Sequence, residues 1–388
     1  MIDRALFSAE HELFRETVRR FIAREIAPFH AAWEEAGVVP RELWRKAGAA
    51  GLLCCTVAEE YGGAGADYLY DVVVLEEMAR VGATGPGFMT HTDLVATYLQ
   101  SFGTEAQKRH WLPKMVAGEA IGSLGMAEPR AGSDLENIRT RAVRDGDDYV
   151  INGQKGFIPN GQLCDVLVLA TRTDFAAGAK GITLFLVESD RPGFKRGHRL
   201  EKIGMKAQDT SELFFEDVRV PARNMLGGEG EGFDLVMAKL AQERLAQAIG
   251  SAAVTEAVID WTVEYTAQRQ AFGQTLADFQ NTQFKLAELK TDAVAGRVLT
   301  DRCIELFVKG ELDPIDAAMA KMFLSNLHCR AVDECLQFFG GWGYMWELPI
   351  ARAYVDARVA KISGGSTEIM KDLIGRELFK RHERQKTA

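Results

Sequence analysis

The sequence predicts an α+β chain of several domains: a helical N-terminal part, a compact central sheet or barrel, and a helical bundle at the end. Three observations predict it. Apolar residues recur at helical spacing through residues 8–120. Short β-rich runs separated by turn residues fill residues 121–230. Long stretches with few helix breakers return over residues 231–385. A length of 388 residues suits two or three structural units and can bury a large core without metals or disulfides.

In the first segment, Leu13, Phe14, Val18, Phe21, Ile22 and Ile26 mark one helix face behind a Ser8 cap, and Pro28 lies near that helix's end. Thr104 and Gln107 have capping-box spacing and open another helix. In the second segment, Asp145-Gly146 and Asn152-Gly153 each signal a hairpin turn. The runs 165–170, 182–187 and 213–215 are too short and too apolar for amphipathic helices. They suggest strands of a compact sheet or barrel. In the third, residues 233–269, 282–309 and 315–339 read as long helices, the last two stopped by Gly310 and Gly340. Helices of this length pack as a bundle. The expected domains are 1–122, 123–231 and 232–388.

Composition excludes several function classes. The net charge of −9 disfavours nucleic acid or an anionic membrane as the main partner. Six cysteines (Cys54, Cys55, Cys164, Cys303, Cys329 and Cys335) show no CxxC or zinc-type spacing and read as buried, reduced thiols. No metal site is expected. No run approaches the length of a membrane span. The start of the chain, with Asp3 and Arg4, lacks the apolar run of a signal peptide, so a cytoplasmic location is expected.

Periodicity goes no further, but motifs do. Residues 126–134 read Met-Ala-Glu-Pro-Arg-Ala-Gly-Ser-Asp, and residues 154–161 read Gln-Lys-Gly-Phe-Ile-Pro-Asn-Gly. Phe215-Glu216-Asp217-Val218-Arg219-Val220-Pro221 follows. Later come Arg269-Gln270-Ala271-Phe272-Gly273, a Gln337-Phe338-Phe339-Gly340-Gly341 run, and Gly364-Gly365-Ser366-Thr367-Glu368-Ile369. In order and spacing, across nearly the whole chain, these resemble the acyl-CoA dehydrogenase family, with the nearest likeness to its long-chain branch. The resemblance implies a helical domain, a β-barrel-like domain and a C-terminal four-helix bundle. It implies FAD, an acyl-CoA substrate of long-chain or branched type, electron-transfer flavoprotein as acceptor, and a homotetramer.

The family removes an α-proton with a carboxylate while the β-hydrogen leaves as hydride to the flavin. Most members carry that Glu in the C-terminal loop, where this chain has Gly364. In the long-chain and isovaleryl branches it sits on the first bundle helix beside an Arg, and Glu243-Arg244 stands there. The resemblance therefore makes Glu243 the base; the plain alternative is a solvated helix residue paired with Lys239. Gly364 would offer its N–H to the thioester oxygen and leave room beside the α- and β-carbons. Ser133, Arg244 and Gly365 would also meet substrate. Cofactor positions carried over are Met126, Ala127, Gly132, Ser133, Phe157, Pro159, Arg269, Phe272, Gln280, Gln337, Gly340, Gly341, Ser366 and Glu368. Phe157 would pack on the flavin ring, and Arg269 would reach the diphosphate of a neighbouring subunit.

The chain departs from the family at two of these positions and at one neighbour. Ala127 and Pro159 replace hydroxyl residues that face the flavin, and Arg130 replaces a small Gly. Each lost hydrogen bond is worth on the order of 1 kcal/mol. Two alternatives follow: a same-fold flavin oxidase or monooxygenase that reacts with oxygen, or a non-catalytic relative.

Overall fold

The structure is a computed structural model in which residues 2–387 are described. The N-terminal part holds α1 (Ala9–Phe21), α2 (His30–Ala36), α3 (Arg41–Ala49), α4 (Tyr68–Arg80), α5 (Thr97–Phe102) and α6 (Glu105–Val116). Ser8 caps α1, sharing a capping box with His11. Thr104 and Gln107 form the expected capping box of α6. The Gln107 amide also donates to the carbonyls of Arg223 (3.0 Å) and Met225 (2.9 Å), tying the start of α6 to the far end of the sheet domain. A π-helical turn, Thr90–Ala96, leads directly into α5.

Eight strands follow: β1 (Gly122–Gly125), β2 (Arg141–Asp145), β3 (Asp148–Pro159), β4 (Val166–Arg172), β5 (Ile182–Glu188), β6 (Phe194–Arg199), β7 (Thr210–Pro221) and β8 (Met225–Leu226). They form one sheet in the order β6-β7-β3-β2-β4-β5-β8, with β1 parallel to β4. The apolar runs at 165–170 and 182–187 become β4 and β5, and both are buried on two faces. Alternation explains why. Val166, Val168 and Ala170 point into a core shared with the N-terminal helices, while Leu167 and Leu169 join Phe185 and Phe215 in a separate core on the other face.

Two sequence expectations change here. The sheet is open rather than barrel-like, because β6 and β8 end the path at opposite edges. The join between β2 and β4 rests on the single pair Arg141↔Arg172, which links two ribbons without closing them. Asp145-Gly146 does turn β2 into β3, but Asn152-Gly153 lies inside β3 at a register shift against β7. Its glycine serves close approach: a Cβ on Gly153 would lie 2.6 Å from the Thr140 backbone.

The C-terminal part holds α7 (Gly232–Gln268), α8 (Gln280–Val308), α9 (Pro314–Phe338), α10 (Pro349–Ala357) and α11 (Thr367–Thr387). Val258, Ile259, Leu289, Ala331, Val332 and Ile350 form the core of a four-helix bundle from α7, α8, α9 and α10. Gly310 and Gly340 stop α8 and α9 with φ of +72° and +57°, a conformation glycine adopts freely. No helix among the described residues is long and apolar enough to cross a membrane. All six cysteines are free thiols, five of them buried.

Candidate active site

The α7 helix runs through the centre of the molecule, packed between α4, α8 and α9. Glu243, Arg244 and Gln247 lie on it where it meets the C-terminal loop. Glu243 is partly buried and forms no ion pair or hydrogen bond among the described residues. The alternative partner, Lys239, instead lies over the Phe102 ring at 5.6 Å. Burial raises the Glu243 carboxyl above the usual carboxylate range, and the cations of Arg244 and Lys321 pull it partly back. Tyr98 of α5 faces the same carboxylate; its hydroxyl is raised by burial and by the Glu243 charge. Arg244 is buried and its Nε has no partner.

Opposite stands the loop before α11. Gly364 and Gly365 take φ of +61° and +92°, which a side chain would strain. Lys321, almost fully buried in α9, donates to the Gly365 carbonyl at 2.5 Å. Burial and Arg244 push this ammonium down to about 8, against the pull of Glu243 and Glu368. Ser366 accepts a hydrogen bond from Ile369 N (3.4 Å) at the start of α11. The fold thus gathers Glu243, Arg244, Gly364, Gly365 and, through Lys321, Glu368. Sequence reading missed Lys321. Its signal was a lone cation in the otherwise apolar run 317–324.

A second group lies at one end of the sheet. Lys155 is buried in β3 and donates to the Met126 carbonyl (2.9 Å) and to Glu128 (2.8 Å). Glu128 also accepts from the backbone of Arg139 (2.7 Å) and Thr140 (2.9 Å). This fully satisfied buried pair fixes the loop after β1; sequence reading missed it too. The β3 strand then bulges at Gly156 and Phe157, between the pairs Lys155↔Leu213 and Ile158↔Ser211. Gly156 N donates to the Ala127 carbonyl (3.0 Å). Phe157 sits at φ +61° and is 66% exposed. Such a conformation costs a non-glycine residue on the order of 1–3 kcal/mol, and it leaves the ring exposed rather than packed in the core. Ala127 and Pro159 are partly buried, and the Pro159 carbonyl accepts from Ser123 Oγ (2.6 Å). Gly132 and Ser133 are exposed on the same loop.

The remaining cofactor positions meet at one end of the bundle. Tyr265, one turn before Arg269, stacks on Phe339 at 4.3 Å, which joins the end of α7 to the end of α9. Phe272 tips a short hairpin at φ +53° and is 97% exposed. Arg269, Gln280, Gln337, Gly340 and Gly341 are also exposed. No hydrogen bond among the described residues links this group to the 126–159 group. The residues fit a flavin dinucleotide. Phe157 offers an aromatic face, Arg269 and two glutamines offer donors, and a Cβ at Gly340 or Gly341 would meet only open space, so backbone can approach a diphosphate.

Comparison with known proteins agrees with this geometry. Residues 8–119, 123–218 and 230–379 match the family models "Acyl-CoA dehydrogenase, N-terminal domain", "middle domain" and "C-terminal domain". The long-chain specific acyl-CoA dehydrogenase of Sus scrofa is 50% identical over 377 residues, covering 97% of this chain and 88% of that protein. An acyl-CoA dehydrogenase structure from Geobacillus kaustophilus superposes with a TM-score of 0.95 at 46% identity, covering 97% of this chain and all of that one. A glutaryl-CoA dehydrogenase from Mycobacterium smegmatis, solved in complex with FADH2, superposes with a TM-score of 0.90 at 30% identity, covering 96% of this chain and 95% of that one. The chain therefore belongs to the acyl-CoA dehydrogenase family of FAD-dependent oxidoreductases.

Proposed function

We propose that this protein oxidises a long-chain acyl-CoA to the trans-2-enoyl-CoA, with Glu243 as the base. The observation that carries this reading is the pairing of a partly buried, unpaired Glu243 with a facing loop that has glycine at 364 and no carboxylate there. A carboxyl raised by burial is a competent base near neutral pH. Bound FAD supplies the acceptor for the β-hydrogen and its electron pair. Glu243 takes the α-proton onto its carboxylate. The Gly364 N–H polarises the thioester oxygen, which makes the α-proton more acidic. Lys321 holds the loop that presents that N–H, through the Gly365 carbonyl. The loop after β1, fixed by Glu128 and Lys155, and the Phe157 ring hold the flavin. Electron-transfer flavoprotein then receives the electrons. The long-chain assignment is supported by the 50% identity to the Sus scrofa enzyme.

Glu243→Gln tests the assignment. The variant is expected to keep its yellow colour and bind acyl-CoA, and to lose turnover by about 10²–10⁴. Anaerobic titration of the wild type should bleach the flavin bands, and the variant should not bleach on the same timescale. Turnover within tenfold of wild type would remove Glu243 from the mechanism. One feature favours a second reading. With Ala127 and Pro159, this chain brings no side-chain hydroxyl to those two flavin-facing positions. Reaction of the reduced protein with oxygen, read as hydrogen peroxide per turnover in air, distinguishes an oxidase from a dehydrogenase.

A further inference from the structure

Glycine at 364 removes a side chain from the loop facing Glu243, and the sequence alone suggests open space beside the reacting carbons. The space is occupied. A Cβ built on Gly364 would lie 2.1 Å from Nε2 of Gln247, 2.8 Å from its Cδ and 3.0 Å from its Oε1. Gln247 stands one turn after Glu243 on α7, so the two side chains share a helix face. Its Oε1 is buried and accepts no hydrogen bond. The wall at this point is therefore close and polar. A hydrocarbon branch pressed against it would have to displace the amide and would give it no hydrogen-bond partner.

We propose that Gln247 is a specificity-determining residue that closes the space beside Gly364, so that acyl chains unbranched at the α- and β-carbons are accepted and a methyl branch there is refused. This rests on Glu243 being the base, because that role brings the α-carbon to this stretch of α7. Volume is the operative property. Alanine would open a pocket of several heavy atoms next to the loop. Leucine would keep nearly the same bulk without the amide.

The experiment compares kcat/KM for an unbranched acyl-CoA with that for its 2-methyl and 3-methyl counterparts, in holoenzyme of wild type, Gln247→Ala and Gln247→Leu. Dissociation constants for the same thioesters, measured by calorimetry on each holoenzyme, give a readout independent of turnover. Wild type and Gln247→Leu are expected to prefer the unbranched chain at least tenfold. Gln247→Ala is expected to lose most of that preference, within the 10–200-fold range that one methyl commands in a pocket. A wild type that takes branched chains equally well overturns the proposal. So does an unchanged preference in Gln247→Ala, or equal relaxation in Gln247→Leu. A wild type that binds the thioesters with the expected preference but bleaches with none of them would instead remove the dehydrogenase reading and leave the steric role intact.

Discussion

Lys321 sets a positive charge against the two halves of the proposed site at once, since its ammonium grips the Gly365 carbonyl and acts on the Glu243 carboxylate. The sign of its effect is definite. Burial raises the Glu243 pKa, and the lysine charge lowers it. Lys321→Met keeps a side chain of similar length but removes the charge. The acid limb of kcat/KM against pH is expected to move to higher pH, with several-fold lower activity on the acidic side. A profile lower in height but unmoved on the pH axis would limit Lys321 to shaping the loop. Little of this was legible in the chain as written. Glu243 stood out because a family pattern located it and because glycine at 364 left the usual base position empty. Lys321 and Gln247 carry no motif. Their importance comes from what they touch, and both touch a loop far along the sequence.

At the scale of elements, the helical parts are joined by charge. Glu76 on α4 is almost fully buried and meets Arg4 (2.8 Å), Arg15 of α1 (2.9 Å) and Arg297 of α8 (2.8 Å). Arg4 also reaches Asp301, and Arg297 reaches Glu256 on α7. Burial alone would raise the Glu76 carboxyl; Arg297, Arg4 and Arg15 overcome it and hold it at about 2. A carboxyl held below its unfolded value stabilises the fold above about pH 4.5, and that contribution is lost as pH falls toward 2. Glu76→Gln removes the carboxylate that Arg4, Arg15 and Arg297 share while leaving them Asp301, Glu77 and Glu256, and is expected to cost about 1–3 kcal/mol in denaturant unfolding at neutral pH. A cost under about 1 kcal/mol would mean that water reaches these arginines. Helix boundaries, caps and stops were readable because their signals are local, as at Ser8, Thr104 and Gly310. The β3 bulge was not, since Asn-Gly carries the same local chemistry in a turn and in a bulge. Only the approach of Thr140 decides between them.

For the whole molecule, the three-segment reading survives and the barrel does not. Strand number and burial can be read from alternation, but closure depends on how two edges lie in space. The bundle end that carries the cofactor residues is open and exposes aromatic side chains beside Arg269 and the glutamines: Phe272, Tyr344 and Trp342 are 97%, 86% and 55% exposed. Arg269→Ala is expected to purify with at least tenfold less bound flavin per subunit, read as the ratio of visible to ultraviolet absorbance. Its mass by light scattering should stay that of the wild type. Full flavin content in this variant would remove Arg269 from the cofactor site.

The Glu76 cluster also bears on how the chain is made. Its members come from both ends of the sequence, with the sheet domain between them. During synthesis the first hundred residues leave the ribosome well before Arg297 and Asp301 exist, so α1 and α4 wait with a carboxylate that is not yet fully matched. Until then only Arg4 and Arg15 are at hand to meet Glu76. A polypeptide cut short after the sheet would lack Arg297 and Asp301, and its opening helices would keep only the ion pairs they make among themselves.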